Sequence, residues 1–326
     1  MKPLVAVLMI TYNHEKHIGQ AIQSVVEQKT SFPFKLFIGE DCSIDKTREI
    51  CVSYQTKYPD KIQLLLNKNN LGMMSNFFMT HKACVDSGAE YIALCEGDDC
   101  WTSAHKLQKQ VDYMRSNRNC AGCFHPVQYS YLDEAIPEHV YRPRCIPLSH
   151  KYTTRDVLLR KGRFFATASV IFRTEAVKHF PEWFYDAPVG DYPLMVLAAT
   201  KGEIGYIDDI MCVHLKNVKN SWSDTFGKSL EGVIKYRAGS LKYLNEFNDW
   251  TNNVFRKEVK LMVKAVNYSY LSGLVWCAPK SKQLVDFFKL SLQLEIQSVV
   301  KILFKIICPK KIYGGIKKRF MARCPF

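Results

Sequence analysis

Glu96-Gly97-Asp98-Asp99 puts three carboxylates within four residues, directly after the apolar run Tyr91 to Cys95. Carboxylates this close at the end of a strand repel one another, and a cation or a hydrogen-bond network must compensate. A hard divalent ion is the natural compensator. Mg2+ and Mn2+ favour oxygen ligands, and a site with one or two carboxylates keeps positions open for the oxygens of a diphosphate. The plain alternative is a solvated acidic turn ahead of a helix that begins near Ser103. A second acidic pair, Glu40-Asp41, also follows an apolar run and leads into Cys42-Ser43-Ile44-Asp45. One carboxylate edge can accept the imide proton of a uracil or thymine ring, while others hold ribose hydroxyls and metal. A third carboxylate of interest is Asp191, in Gly190-Asp191-Tyr192-Pro193. By itself it reads as a helix cap. The same position favours its charged form, which is the state a general base needs.

The elements that must position these groups follow from periodicity. Val5 to Ile10 reads as a buried strand, Asn13 can cap a helix carrying Ile18, Ala21, Ile22, Val25 and Val26, and Leu36 to Gly39 supplies a second strand. A helix from Lys46 to Tyr58, a strand from Ile62 to Leu66, a helix over Met73 to Ser87 and the strand Tyr91 to Cys95 come next. Strands alternating with helices predict an α/β fold with a mostly parallel sheet. Both acidic clusters then lie beyond carboxyl ends of strands, where open sheets of this kind bind ligands. A helix from Ser103 to Asn117, a strand from Phe164 to Phe172 and a helix opened at Asp191 and closed by Lys201-Gly202 follow. Beyond about Ser221 the pattern turns helical and basic, which predicts a domain of 1–223 and a helical C-terminal region of 224–326.

The chain has 326 residues, 47% hydrophobic and 23% charged, enough to bury a substantial core. Its opening run reads as a first buried strand and not as a signal peptide. No stretch reaches the ~18 consecutive apolar residues of a spanning helix. Twelve scattered cysteines fit reduced thiols in a cytosol, and Cys120 and Cys123 read as buried thiols, lacking a second pair at zinc-like spacing. The net charge of +14 is concentrated at one end: Ile296 to Phe326 contains eight Lys and Arg and no Asp or Glu. Mixed there with Ile302, Leu303, Phe304, Ile306 and Ile307, these residues suit a segment lying on an anionic membrane surface.

Five ordered segments carry a resemblance. Ile10-Thr11-Tyr12-Asn13-His14, Gly39-Glu40-Asp41-Cys42-Ser43-Ile44-Asp45-Lys46-Thr47, Asn70-Leu71-Gly72, Tyr91 to Asp99, and Gly190-Asp191-Tyr192-Pro193-Leu194 resemble family 2 glycosyltransferases of the GT-A fold, of the bacterial surface-polysaccharide type. The resemblance covers roughly residues 3–223. It implies that Thr11, Tyr12 and Asn13 line the base and ribose pocket, that Asp41 bonds the pyrimidine, and that Asn70 lies near it. Glu96, Asp98 and Asp99 look like the family's DxD region, with Glu96 and Asp98 toward the nucleotide and Asp98 and Asp99 serving Mn2+ or Mg2+. Asp191 looks like the catalytic base of inverting members. The chain departs from the pattern at Glu40 and Glu96, where Asp is usual, and at Val213-His214-Leu215-Lys216-Asn217, where many relatives carry Tyr-Arg and then His.

These features predict an inverting transferase that moves a sugar from a nucleotide diphosphate, UDP favoured, to a saccharide or lipid-linked acceptor. Its expected place is the cytoplasm, at the inner face of the cell membrane. A sugar-nucleotide pyrophosphorylase would show a glycine-rich basic loop after the first strand, where this chain has Thr11-Tyr12-Asn13-His14-Glu15. A nucleic-acid-binding protein without catalysis would leave both acidic clusters without a purpose, since they repel phosphates.

Overall fold

The computed structural model describes residues 2–131, 137–141, 151–160, 165–216, 229–291 and residue 302. The chain divides into two compact units, one of Met1–Tyr185 with Val189–Val218, the other of Asp186–Pro188 with Lys219–Phe326.

In the first unit β1 (Val5–Thr11), α1 (Ile18–Val26), β2 (Phe34–Glu40), α2 (Thr47–Lys57), β3 (Ile62–Leu66), α3 (Met73–Asp86) and β4 (Tyr91–Leu94) alternate as the periodicity predicts. They are followed by β5 (Cys100–Trp101), α4 (Lys106–Ser116), β6 (Cys120–Phe124), β7 (Val127–Tyr131), β8 (His139–Tyr141), α5 (Thr154–Arg160), β9 (Ile171–Arg173), the short helices α6 (Thr174–Val177) and α7 (Glu182–Tyr185), α8 (Asp191–Ala199), β10 (Glu203–Tyr206) and β11 (Cys212–Lys216). The main sheet runs β10-β6-β9-β4-β1-β2-β3. Its pairs are parallel except those of β9, which is antiparallel to β4 and β6. The apolar run Val5 to Met9 is buried throughout, as expected of a strand covered on both faces.

After β1 the chain builds outward through β2 and β3, then returns to place β4 on the other side of β1. The gap between β1 and β4 is therefore the point where strand order reverses, and ligands bind outside the carboxyl ends at such points. A smaller sheet runs β5-β11-β7-β8, with β5 antiparallel and β7 parallel to β11.

Two expectations are corrected. Asn13 does not cap α1: the residue preceding that helix is His17, which makes no side-chain cap. Asn13 instead adopts φ 57°, a left-handed turn that asparagine tolerates, and its side-chain oxygen accepts from Ile44 N at 3.0 Å. The strand expected from Phe164 to Phe172 is only Ile171–Arg173, Phe164 lying outside the described residues. Thr167–Ser169 form a 3-10 turn in which the backbone N–H of Ser169 (2.9 Å) and its hydroxyl (2.7 Å) both donate to Ala166 O. Small and hydroxyl side chains let local bonds win over the ladder here.

Cys120 and Cys123 are buried free thiols on β6, as are Cys51, Cys84, Cys95 and Cys212 in the rest of this unit. In the second unit, α9 (Leu230–Trp250), α10 (Arg256–Cys277) and α11 (Lys280–Ser291) pack around Val233, Leu271, Leu274 and Phe287. Ser229 caps α9 by accepting from Gly232 N at 3.0 Å. No helix among the described residues is long and apolar enough to cross a membrane. The basic tail singled out in the sequence lies outside the described residues except Ile302.

Candidate active site

The acidic segment after β4 lies against the end of β1. Cys95 N donates to Leu8 O (3.1 Å) and Gly97 N to Ile10 O (3.2 Å), so the chain follows β1 past the last paired residue of β4. A Cβ on Gly97 would stand 2.7 Å from Thr11 Oγ1 and 2.8 Å from His14 Nδ1, too close for any other residue without a shift. Thr11 Oγ1 and His14 Nδ1 are themselves 3.2 Å apart. The Asp98 carboxyl is pushed above its ordinary range by burial and then by the charge of Asp99, while His14 and His214 pull it back.

The register of β5 and β11, with Val213 opposite Cys100, carries His214 to Asp99. His214 Nδ1 donates to Asp99 Oδ1 at 2.7 Å, and Leu215 N reaches the same oxygen at 3.3 Å. Asp99 is 2% exposed, and its Oδ2 is buried without a hydrogen-bond partner among the described residues.

Glu96 and Asp191 complete the cluster. Burial, followed by the charges of Asp98, Asp99 and Asp191, raises the Glu96 carboxyl well above the usual range. Asp191 is the first residue of α8 and accepts from Tyr192 N at 2.7 Å, so it sits inside the helix start and not before it. Its own carboxyl is raised by burial, against the pull of that N–H and of His214 and Lys216. Lys216 is lowered by burial, with Asp99, Glu96, Asp191 and Asp98 acting to raise it. Its ammonium lies 4.7 Å from the ring centre of Tyr129.

The residues expected around a base and ribose form a second group. Asn13 N donates to Ser43 Oγ at 3.0 Å and His14 N to Thr47 Oγ1 at 2.8 Å, clasping the β1 loop to the β2 loop. Asp41 is 2% exposed and accepts three bonds, from Asn67 Nδ2 (2.8 Å), Leu71 N (2.9 Å) and Gly72 N (2.9 Å). Asn70 Oδ1 shares that Gly72 N at 3.0 Å. Glu40, fully buried, pairs with Arg48 and accepts from Ser43 N at 2.6 Å, which gives its longer side chain a scaffold role. Tyr12 is exposed at the loop surface. The two groups join at Thr11, whose carbonyl accepts from Asp41 N at 3.1 Å.

Among the described residues no three His, Cys, Asp or Glu side chains form a closed metal cage. The donor chemistry is compatible with an open site: Asp99 Oδ2, buried without a partner among the described residues, and the adjacent, electrostatically stressed Asp98 offer hard oxygens of the kind Mg2+ and Mn2+ prefer.

The family model described as Glycosyl transferase family 2 matches residues 6–180, which contain β1 to β9 and three of the four clustered carboxylates. The chain belongs to glycosyl transferase family 2. An uncharacterized protein of Mycobacterium tuberculosis is 32% identical over 226 residues, covering 68% of this chain and 61% of that protein. The chain therefore spans about three fifths of the length of that relative. The dTDP-rhamnosyl transferase RfbG of Shigella flexneri is 33% identical over 114 residues, 34% of this chain and 39% of that one. Among solved structures, the mannosyltransferase PcManGT of Pyrobaculum calidifontis, in complex with GDP-Man and Mn2+, superposes with a TM-score of 0.54 at 12% identity, covering 93% of this chain and 79% of that one. Staphylococcus aureus TarS 1-349, in complex with UDP-GlcNAc, gives 0.52 at 14% identity, covering 93% and 90%. These likenesses show the GT-A fold.

Within this member of glycosyl transferase family 2, sequence reasoning missed Lys216 as the cation facing the carboxylates, and Asn67 and Asn76 beneath Asp41. A basic residue at the end of a strand was legible, but its neighbours were not, because they come from three other segments, around Glu96 to Asp99, Tyr129 and Asp191.

Proposed function

We propose that this glycosyltransferase is an inverting, metal-dependent enzyme that moves a sugar from a nucleotide diphosphate, UDP favoured, to an acceptor hydroxyl. The observation that carries the reading is the convergence of Glu96, Asp98, Asp99 and Asp191 beside the end of β1, faced by His214 and Lys216. Asp98 and Asp99 would hold Mn2+ or Mg2+, which when bound supplies charge neutralisation for the diphosphate. Thr11, Tyr12, Asn13, Asp41 and Asn70 bind the base and ribose, with Glu96 and Asp98 toward the ribose. Lys216 adds positive charge where the leaving diphosphate gathers negative charge. Asp191 takes the proton of the acceptor hydroxyl as its oxygen attacks the anomeric carbon from the face opposite the diphosphate. A carboxyl raised by burial is a stronger base than a solvated one, which suits that role.

The acceptor in this reading is a saccharide or lipid-linked saccharide of cell-surface polysaccharide synthesis, met at the cytoplasmic face of the membrane. The basic, apolar segment from Val299 onward provides the surface contact, where each Lys or Arg contributes about 1 kcal/mol on anionic lipid. The decisive experiment incubates the chain with a panel of UDP, GDP and dTDP sugars and Mn2+, and measures released nucleotide diphosphate with and without chelator. Release from one donor class that stops with chelator is expected. Equal release from all donors, or none, would overturn the reading.

A further inference from the structure

Beneath the loop that follows β3 lies a buried amide pair to which the catalytic reading assigns no part. Asn67 is 4% exposed and Asn76, one turn into α3, is 2% exposed. Asn67 Nδ2 donates both to Asp41 Oδ1 (2.8 Å) and to Asn76 Oδ1 (3.1 Å). Asn76 Nδ2 in turn donates to Gly39 O at 2.8 Å. The two amides thus close the base of the 67–76 loop and fasten it to the end of β2.

The backbone joins the same clip. Asn67 N donates to Glu40 O at 3.0 Å, and Asn67 O accepts from the Arg48 guanidinium at 2.7 Å. At the other end Gly72 turns with φ 82°, a conformation that needs glycine, and α3 begins at the next residue. Gly39 makes the close approach of α3 feasible: a Cβ there would stand 2.0 Å from Thr80 Oγ1 and 2.5 Å from Asn76 Oδ1. Between the fixed ends, Lys68, Asn69, Asn70 and Leu71 are exposed.

A carboxylate offers about four acceptor directions, and Asp41 has three of them filled, two on Oδ1 and one on Oδ2. One direction on Oδ2 is left for a ligand, and its position is set by the donors on the other three. We infer that Asn67 and Asn76 are positioning residues that fix Asp41 and the 67–76 loop for the base of the donor nucleotide. This rests on the reading above that the base sits at Asp41. Buried hydrogen-bonded networks of this kind hold one geometry where a solvated loop would sample many. Neither amide touches the diphosphate end, so their removal weakens nucleoside recognition and spares the phosphates.

The test is calorimetric titration of the full chain, at saturating Mn2+, with UDP and separately with inorganic pyrophosphate. In Asn67→Ala and Asn76→Leu the affinity for UDP falls about tenfold or more, while that for pyrophosphate stays within about twofold. In turnover the same variants raise KM for the donor and leave kcat near the parent value. Should Asn76→Leu fail to fold, Asn76→Asp, which keeps the shape and removes the donor to Gly39 O, takes its place. Equal loss of both ligands, or an unchanged UDP preference, would overturn the inference and leave the base site standing. A parent chain that binds UDP no more tightly than pyrophosphate would overturn the base site itself, and the positioning role with it.

Discussion

His214 and Asp99 meet through one 2.7 Å hydrogen bond that makes the Asp99 carboxylate asymmetric. Oδ1 takes the imidazole N–H and the Leu215 N–H, and Oδ2 is left buried and partnerless. A buried acceptor without a donor costs about 1–3 kcal/mol, and in the proposed metal site this is the oxygen that would receive the cation. If Asp99 holds the metal as proposed, the imidazole would orient the carboxylate in the way that residues behind a metal ligand commonly do.

Replacing Asp99 by Asn therefore removes the gain in UDP affinity that Mn2+ brings, and Asp98→Asn weakens it. His214→Ala frees the carboxylate to rotate and lowers Mn2+-dependent UDP affinity by about 10- to 100-fold, the range for residues behind a metal ligand. Calorimetric titration of UDP with and without Mn2+ checks all three. Undiminished metal dependence in Asp98→Asn and Asp99→Asn would remove these residues from the metal site.

Asp191→Asn keeps the shape of the α8 start and its bond with Tyr192 N. Donor affinity should stay near the parent value while transfer falls roughly 100-fold or more, the loss expected on removing a general base. Binding by calorimetry and turnover by product analysis separate the two. If UDP affinity collapses together with turnover, Asp191 is a donor ligand and the base is another group.

Lys106 gives a pH test independent of catalysis. Its side chain is fully buried, donates to Gln110 Oε1 at 2.7 Å, and lies 4.1 Å from the ring centre of Trp101. Burial lowers its pKa from 10.5 to about 8. Since the folded state holds the proton less tightly than the unfolded state, a penalty appears as pH falls through 10.5 and is complete below about 8. A shift of this size corresponds to about 3 kcal/mol. Lys106→Met should raise stability at pH 7, and the advantage should shrink as pH approaches 10.5. Urea melts of both proteins across that range measure it, and a pH-independent difference would mean that the ammonium is not the source.

The basic tail is tested by flotation with liposomes. The full chain should bind anionic vesicles in a salt-sensitive way, because the contact is partly electrostatic. A chain ending at Ser298 should stay behind. Equal behaviour of the two would remove the tail from membrane attachment and leave the transferase chemistry untouched.

The sequence by itself determined the alternation from β1 to β4, since buried strands and one-sided helices leave periodicities of their own in residue type. It also placed Glu96, Asp98 and Asp99 just beyond a strand end and Asp191 at a helix start, because these are local facts about neighbouring residues. It did not determine what Asn13 does, since an Asn before an amphipathic helix suits a cap as well as the left-handed turn it makes. It gave little warning that β9 would run antiparallel between β4 and β6, because strand order and direction are chosen by how the sheet closes, not by the strand's own residues. Only the tertiary structure decided that His214 meets Asp99 across 115 residues, through the pairing of β11 with a two-residue strand too short to show a pattern. The same holds for Lys216 facing four carboxylates and for Asn67 and Asn76 beneath Asp41: an Asn or Lys in a sequence reads as surface, and its burial is set by the distant backbone that folds over it.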